Sequence, residues 1–481
     1  MTRTVDVAIL GSGFGGSLLS MILHRLGLRV ALIERHSHPR FAIGESSTPT
    51  ADMILTDLCE RFDLPQILPL ARYGSWRRTY PQIDCGLKRG FSYFGHQPGQ
   101  HFTADEEHST ELIVSASDSD ELGDTHWLRA DVDQFLVQEA TQLGIEYHDQ
   151  TIAKPRPTGD SWAMLCRNPQ QQFQLHAGFV VDASGVGRAL ADALQLSDQT
   201  NRLHTNSRAI FGHFAGLPLW EKILDDRHIP VGDYPFPCDV SAQHHLLSEG
   251  WMWQLRFDSG VTSAGIMIDG QEAEPSSWES ILNRYPSLDQ QFGRHDVSAV
   301  EPIQETGRVQ RMLNAAADDS WVLLPHSFAF IDPLHSTGIA HTIYCIEQLS
   351  DVFARGVPAD ALASYSRDLQ RDFLVIDQLV HGCYVARHDF SLFADYSMLY
   401  FAAATMFERQ RLAGEQPSFL CAGDKHFTAF VAEAHQRLCQ SVQLGQRDDF
   451  SSWLKEAIEP FNFVGLMDPS LRNMYERTSA K

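Results

Sequence analysis

The pattern of apolar positions at the start of the chain predicts a strand, a helix and a second strand. Apolar residues dominate 5–10, recur at helical spacing over 18–26, and form a second short run at 30–33. A short apolar run bounded by turn residues is typical of a buried strand, whereas spacings of three and four residues are typical of a helix. The first 34 residues therefore predict a Rossmann-like βαβ unit.

A glycine-rich turn joins the first strand to the helix. Gly11, Gly13 and Gly16 form the pattern G-x-G-x-x-G, in which the glycines permit a tight turn, close approach of a pyrophosphate and close packing of the helix on the strand. The free N–H groups at the helix start then face the phosphates. Glu34 follows the second strand, where a carboxylate accepts the hydroxyls of a ribose. The pattern predicts a dinucleotide site, and the alternative is a glycine-rich turn in an ordinary α/β protein.

Later apolar patterns predict the remaining architecture. Buried strands are predicted at 179–182 and 321–324, and alternating positions over 205–268 predict a mostly antiparallel sheet. From about residue 346 the pattern is helical nearly to the end, whereas the acidic stretch 105–124 predicts an exposed excursion. We therefore predict a discontinuous dinucleotide-binding domain (1–54, 105–204 and 301–345), a substrate-side sheet domain (55–104 and 205–300) and a helical C-terminal region (346–481).

Composition narrows the class of protein. The chain has 481 residues, a formal net charge of −23 and 43% hydrophobic residues. Such a charge argues against binding to nucleic acid or an anionic membrane surface. No apolar run reaches the roughly 18 residues of a membrane-spanning helix, and the first strand begins too early for a signal peptide to precede it. The eight cysteines form no C-x-x-C pair and the histidines show no metal spacing, so we expect a cytoplasmic protein with reduced thiols and no metal.

Three separated segments can contact one dinucleotide. They are the glycine turn, the turn after Asp182, and the segment from Leu324 to Gly338. A second G-x-G-x-x-G pattern is absent from the sequence. One tightly held cofactor is therefore expected, which receives its electrons from a separate protein or from a transient nicotinamide contact.

The order of these motifs resembles that of the FAD-dependent aromatic monooxygenase superfamily. The shared motifs are Gly11-x-Gly13-x-x-Gly16 with Glu34, Arg129 ahead of a helix, Val181-Asp182-Ala183-Ser184-Gly185, and Asp332-Pro333. Four features are more similar to the flavin-dependent halogenases within it. They are Gly44-Glu45-Ser46, Lys88, Phe330-x-x-Pro333-x-x-Ser336-x-Gly338, and Gly250-Trp251-Met252-Trp253. The resemblance covers most of residues 1–345 and, more loosely, the C-terminal part.

The resemblance implies halogenation of an electron-rich phenol, pyrrole or indole, free or bound to a carrier or peptide. A flavin reductase would supply FADH2, and oxygen and halide would give hypohalous acid. Lys88, placed like the catalytic lysine of phenol- and pyrrole-type members, would hold this oxidant by a hydrogen bond or as a haloamine. Thr337 and Gly338 would bind halide through backbone N–H groups. His335 would take the ring proton, because the reference pKa of histidine is near neutrality.

The resemblance thus implies a complete set of candidate residues. The catalytic candidates are Lys88, His335 and Ser336. The cofactor-binding candidates are Gly11, Gly13, Phe14, Gly16, Glu34, Arg35, Glu45, Ser46, Arg129, Asp182, Gly185, Asp332, Gly338 and Ile339. The candidates for the substrate or the passage to it are Phe91, Tyr93, Trp251, Trp253, Phe330 and Pro333.

Two departures from the halogenase motifs keep alternatives open. The motif W-x-W-x-I-P reads Trp251-Met252-Trp253-Gln254-Leu255-Arg256, which leaves room for aromatic hydroxylation by the same fold. His335 stands where tryptophan-specific members carry a glutamate, which argues against free tryptophan as the substrate. A third hypothesis is a non-catalytic flavoprotein that docks partners through 105–124 and the C-terminal helices. The structural alternatives are a solvated Lys88, a loop histidine at 335 and aromatic rings that only fill the core.

Overall fold

The computed structural model describes residues 2–272 and 277–480. Its architecture confirms the predicted α/β class, with a Rossmann-like sheet, a mostly antiparallel sheet and a helical C-terminal region. The helices are α1 Phe14–Arg25, α2 Pro49–Arg61, α3 Tyr73–Thr79, α4 Arg129–Gln142, α5 Ala189–Ala193, α6 Trp220–Asp226, α7 Trp278–Leu282, α8 Pro286–Phe292, α9 Pro325–Phe328, α10 Thr337–Ala354, α11 Ala359–Ala386, α12 Phe390–Leu412, α13 Lys425–Leu444 and α14 Arg447–Ala457.

The strands belong to two large sheets and two short ribbons. They are β1 Thr2–Leu10, β2 Val30–Ile33, β3 Cys85–Lys88, β4 Gly90–Gly95, β5 Glu111–Ser115, β6 Asp124–Trp127, β7 Glu146–His148, β8 Ile152–Pro157, β9 Trp162–Arg167, β10 Gln172–Asp182, β11 Ser207–Ala215, β12 Ala242–Leu247, β13 Gly250–Arg256, β14 Thr262–Asp269, β15 Ser298–Ala299, β16 Gln304–Arg308, β17 Arg311–Met312, β18 Ala317–Asp318, β19 Trp321–Leu323, β20 Ala329–Phe330 and β21 Met474–Tyr475.

The first sheet has the strand order β18-β19-β10-β1-β2-β7. Strand β1 lies between β10 and β2, parallel to both, and Leu10 pairs with Asp182 on one side and Ile33 on the other. The three strands therefore end at the same edge of the sheet. Side chains of β1, β2 and helix α1 are buried together, as expected for parallel strands covered on both faces.

Two glycines make the turn from β1 into α1 possible. Gly11 has a φ of +100°, and a Cβ there would lie 2.6 Å from the carbonyl oxygen of Ala183. A Cβ on Gly16 would lie 2.0 Å from the carbonyl oxygen of Gly11. No larger residue fits either position, because real Cβ atoms do not approach oxygen so closely.

The second sheet is antiparallel through β11, β14, β13 and β12, and then continues through β4 and β5. Its two faces are both covered. Trp251 and Trp253 on β13 join the main core, whereas Met252 between them joins a separate apolar cluster with Ile266. This is the alternation that the sequence predicts for residues 205–268.

The structure corrects the predicted exposed excursion at 105–124. Part of the predicted exposed excursion, Glu111–Ser115, is instead the buried strand β5, paired with β4 in the second sheet. Glu111 tolerates burial because it has hydrogen bonds with His108 and Tyr234. Strand β16 likewise pairs with β11 of the second sheet, and α2 continues across the predicted boundary at residue 54.

The C-terminal helices pack on both sheets. Helix α10 contacts α1 and α2, helix α11 contacts α12 and α13, and the last strand, β21, pairs with β5. Helix α12 places Tyr400 and Phe401 against Phe91 of β4. Among the described residues, no helix combines the length and the apolar character that crossing a membrane requires.

A buried ion pair links this region to the nucleotide-binding side. Arg411 of α12 donates to both carboxylate oxygens of Glu347 on α10, at 2.7 and 2.8 Å. Removing one partner of a buried pair leaves an uncompensated charge and costs about 3–5 kcal/mol. Arg411→Met should therefore lower the free energy of unfolding in urea by about this amount. Arg294→Met, which removes an exposed pair with Asp296, should change it by less than about 1 kcal/mol; equal losses would contradict the link.

Candidate active site

One cavity of about 1370 Å³ is lined by strands of the second sheet, by the turns that follow β1 and β10 of the first sheet, and by the start of α10. This volume exceeds the roughly 300–1,000 Å³ of common small-molecule sites and leaves room for a dinucleotide. Sixteen of the predicted site residues line it: Gly13, Phe14, Arg35, Glu45, Ser46, Arg129, Gly185, Trp251, Trp253, Phe330, Asp332, Pro333, Ser336, Thr337, Gly338 and Ile339.

The start of α1 offers a place for a diphosphate. Gly13 precedes the helix, and a Cβ there would lie 3.4 Å from the guanidinium of Arg129, 3.6 Å from that of Arg40 and 3.6 Å from Oδ2 of Asp133. Glycine thus keeps a gap open beside two guanidinium groups, both paired with Asp133, and beside the N–H groups of a helix start. The chemistry of this gap fits the diphosphate of FAD.

Arg129 is held in a fixed orientation at this gap. Asp133, on the same helix, accepts from Nε and from one terminal nitrogen of Arg129, both at 2.9 Å, and also from the N–H of Phe14 at 3.0 Å. The remaining terminal nitrogen of Arg129 donates to the carbonyl oxygens of Ile43 and Gly44 at 3.1 and 3.2 Å. Such bidentate pairing orders the guanidinium and the loop before Glu45 together.

Four of the predicted cofactor residues do not line the cavity: Gly11, Gly16, Glu34 and Asp182. Gly11 and Gly16 form the turn described above. Glu34 accepts from the backbone N–H groups of Ser12 at 3.1 Å and His36 at 3.0 Å. Burial raises the pKa of Glu34, but these hydrogen bonds and the charge of Arg40 outweigh it, so the net shift is downward. Its predicted contact with a ribose stays a prediction.

The turn after β10 is held by Asp182. Its Oδ1 accepts from Ser184 N at 2.9 Å and from the hydroxyl of Ser327 at 3.0 Å. The same Ser327 hydroxyl accepts from the N–H of Gly185 at 3.0 Å. Asp182 therefore positions Gly185 at the cavity wall rather than facing the cavity itself.

The start of α10 also faces the cavity. Ser336 precedes the helix in a left-handed conformation with a φ of 52°, no side chain caps the helix, and its first turn carries no acidic residue. Thr337 and Gly338 therefore present backbone N–H groups to the cavity, where the helix dipole favours an anion. A Cβ on Gly338 would lie 3.0 Å from Nε2 of His326, a wall residue that no sequence motif indicated.

Asp332 is the carboxyl group at the centre of the wall. Tyr384 of α11 donates to its Oδ2 at 2.8 Å, and the Nε1–H of Trp251 donates to the Tyr384 hydroxyl at 3.2 Å. Burial raises the pKa of Asp332 to about 7, against the opposing effect of the Tyr384 hydrogen bond. The C-terminal helices thus fix the position of Trp251, a role of Tyr384 that sequence spacing does not reveal.

Lys88 at the end of β3 is completely buried. Its Nζ donates to the carbonyl oxygen of Ser47 at 2.7 Å and lies 4.0 Å from the centre of the Phe91 ring. Burial lowers the pKa of Lys88 to about 7, and the carboxylates of Asp124 and Asp52 oppose that shift. The alternative of a solvated surface lysine is therefore wrong.

Lys88, Phe91, Tyr93 and His335 lie outside the cavity wall. Ser46 lines the cavity, and its neighbour Ser47 binds Lys88. His244 also lines the cavity and stacks on Tyr93, with ring centres 4.5 Å apart. Over the described part of the chain, the predicted passage is therefore closed by the 46–47 peptide and the His244 ring.

Phe91, the ring that contacts Lys88, belongs to an aromatic cluster. It stacks on Tyr93 and meets the edges of Tyr400 and Phe401 at 6.0 and 5.6 Å between ring centres. Two of these rings belong to α12, more than three hundred residues after Lys88 in the sequence. No local pattern connects these segments, so the sequence did not predict Tyr400 and Phe401 as neighbours of Phe91.

His335 is buried beside the rings of the C-terminal helices. Its ring stacks on Tyr400 with centres 4.4 Å apart, and Nε2 lies 3.8 Å from Sγ of Cys383. Burial lowers the pKa of His335 to about 3. A base is most effective when its pKa is near the working pH, so this burial opposes the predicted proton transfer, which stays a prediction.

The altered tryptophan motif does not widen the cavity at its last position. Trp251, Trp253 and Leu255 line the wall. Arg256, the last position, lies outside the wall and donates to Asp239 at 2.9 Å and to the carbonyl oxygen of Leu217 at 3.0 Å. The two tryptophan rings therefore keep their place beside the cavity despite the departure.

Comparisons with known proteins agree with this geometry. Residues 125–428 match the model of the family described as "Tryptophan halogenase". The chain is 28% identical to monodechloroaminopyrrolnitrin halogenase PrnC of Pseudomonas fluorescens, over 86% of this chain and 73% of that protein. It is 26% identical to tetracycline 7-halogenase of Kitasatospora aureofaciens, over 80% and 70%. A crystal structure of halogenase PltM with phloroglucinol and FAD superposes with a TM-score of 0.86 and 23% identity, covering 98% of this chain and 99% of that chain.

The gap at Gly13 makes a specific prediction. Gly13→Ala should fold normally, because its backbone (φ −64°, ψ 176°) suits alanine and the nearest atom lies 3.4 Å from the added Cβ. The methyl group should nevertheless occupy the diphosphate position and weaken FAD binding by about tenfold or more, a loss of at least about 1.4 kcal/mol. Flavin fluorescence titration measures this. Gly232→Ala, where a Cβ meets nothing within 4 Å, is the control, and equal affinities would contradict the assignment.

Proposed function

Because this chain belongs to the tryptophan halogenase family, it is an FAD-dependent oxidoreductase of the flavin-dependent halogenase class, and we propose that Lys88 delivers the halogen to an electron-rich aromatic of the phenol, pyrrole or indole type. One observation carries the proposal: the amine of Lys88 is buried against the ring of Phe91, next to the peptide that bounds the large cavity. The family match and the size of the cavity both support FAD binding, and the burial of the Lys88 amine supports its proposed role in halogen transfer.

The cavity would hold FAD through residues at its two ends. Arg129, Arg40 and the start of α1 would bind the diphosphate, and the segment from Asp332 to Ile339 would face the isoalloxazine ring. When bound, reduced FAD would supply two electrons to oxygen, and the halide would supply two more as it is oxidised to hypohalous acid, with water as the other product. The sequence has one dinucleotide fingerprint, which supports a separate flavin reductase as the source of FADH2.

The halide would bind at the start of α10. Thr337 and Gly338 present uncapped N–H groups, and the helix has no acidic residue in its first turn to repel an anion. Both residues line the cavity, so a halide bound there would lie beside the segment proposed to face the isoalloxazine ring. Ser336 supports this end, because its hydroxyl donates to that of Ser46 at 3.1 Å.

The neutral amine of Lys88 would then act as the nucleophile. Its nitrogen attacks the halogen of hypohalous acid, a nitrogen–halogen bond forms, and water leaves. The aromatic carbon next takes the halogen, and the ring proton returns to the nitrogen, which restores the amine. A pKa near 7 makes this amine nucleophilic at neutral pH, where an ordinary lysine is almost fully protonated.

The aromatic rings beside Lys88 would form the substrate site. Phe91 and Tyr93 are fixed in β4, whereas Tyr400 and Phe401 belong to α12. Displacement of the α12 rings would open space for an aromatic substrate beside the amine. The peptide at 46–47 and the tryptophans at 251 and 253 would keep that substrate away from the flavin, which favours halogenation over direct hydroxylation.

Removing the amine tests this mechanism. Lys88→Met keeps the buried volume, so FAD content and halide-dependent oxygen consumption should be unchanged, while halogenated product measured by mass spectrometry should fall by about 100-fold or more. Lys222→Met, on the exposed surface of α6, is the matched control. Wild-type amounts of halogenated product from Lys88→Met would overturn the mechanism, and a wild-type product that gains one oxygen regardless of halide would establish the hydroxylase alternative.

The pH dependence follows from the same amine. Burial lowers the pKa of Lys88 to about 7, so the neutral form gains population as pH rises. Halogenated product per oxygen consumed should therefore increase through a pH of about 7 and level off above it. Lys222→Met should show the same profile. A yield that falls with rising pH would show that the protonated amine is the active form.

A further inference from the structure

A cluster of metal-binding side chains lies where α11 packs on α13. His381 belongs to α11, and His435 and Cys439 lie one turn apart on α13. Nδ1 of His381 is 2.8 Å from Nε2 of His435. The ligand atoms of all three residues lie within 4.8 Å of one another, and none of the three lines the large cavity.

A third imidazole completes the cluster. The ring of His204 lies 5.4 Å from that of His381 and 5.1 Å from that of His435, and the latter two are 5.0 Å apart between centres. Zinc–nitrogen bonds of 2.0–2.1 Å at tetrahedral angles place imidazole centres about 5.2 Å apart. The three ring centres therefore have the spacing of ligands around one ion, and His204, which is outside the group of atoms within 4.8 Å, would need only to turn its ring toward the other two.

The position of His204 is fixed by α11 itself. Asp377, one turn before His381, is fully buried and accepts from the backbone N–H groups of His204 at 2.7 Å and Thr205 at 3.0 Å. One helix thus supplies His381 and anchors the segment that carries His204. Burial lowers the pKa of His381 and His435 to about 4, so both rings are neutral, as metal ligands must be.

We propose that His204, His381, His435 and Cys439 bind a divalent transition metal of the zinc class. Three imidazoles and one thiolate suit tetrahedral Zn²⁺, and binding would release the thiol proton of Cys439 to solvent. The ion joins α11, α13 and the segment before β11. Its role is structural, because all four coordination positions are filled by the protein.

Metal titration of the full-length, flavin-loaded protein tests the site. After treatment with a chelator, Co²⁺ should bind at one equivalent with the absorption bands of a tetrahedral ion, at longer wavelength than flavin absorption, and Zn²⁺ should displace it.

Two variants of the proposed ligands extend the test. Cys439→Ser should lose the thiolate-to-cobalt band. His435→Ala should weaken Zn²⁺ binding by about 100-fold, and its FAD content shows whether it is folded. Co²⁺ bound without tetrahedral bands, or no saturable binding, would overturn the proposal.

An exposed histidine on the same helix provides the control. His426→Ala, in the first turn of α13, should bind Zn²⁺ like the wild type. Zn²⁺ should raise the unfolding temperature of the wild type and of His426→Ala, because a ligand that binds the folded state stabilises it. It should not raise that of His435→Ala, and an equal rise in all three proteins would place the metal elsewhere.

Discussion

The burial of one amine is the constraint on which the candidate site depends. Water stabilises a lysine ammonium, so enclosing Lys88 in protein favours its neutral form. The carbonyl of Ser47, the face of Phe91 and the carboxylates of Asp124 and Asp52 replace part of that solvation. This balance leaves the pKa near 7, and Tyr400 of α12 packs against Phe91, the ring that contacts the amine. The C-terminal helices therefore contribute residues to the candidate site as well as to the fold.

Local sequence patterns predict those parts of this fold whose interacting residues lie close together in the chain. The first βαβ unit is one such part, because its strands, glycines and helix lie within about thirty residues. Strand β5 was mispredicted because its apolar run, Leu112–Val114, is short and flanked by acidic residues. Burial of Glu111 depends on Tyr234, more than a hundred residues away, which no local pattern reveals.

The same difference between local and distant determinants decides which parts of the candidate site the sequence predicts. Resemblance to known motifs singled out Lys88 and the segment from Phe330 to Gly338, because motifs preserve residue types at fixed spacing. The downward shift in the pKa of His335 could not be predicted, because it depends on burial by residues distant in the sequence. His381 and His435 are 54 residues apart, so their hydrogen bond, like the stacking of His335 on Tyr400, becomes visible only in three dimensions.

The thin partition between cavity and amine gives a physical reason for two separate compartments. Ser46 and His244 line the cavity, whereas Lys88, which donates to Ser47, and Tyr93, which stacks on His244, lie behind the wall. In the proposed mechanism, hypohalous acid, which has only three atoms, would cross this partition, and the wider aromatic substrate would stay on the side of Lys88. Because halogenation needs this separation and direct hydroxylation needs the opposite, the partition favours the former chemistry in this chain.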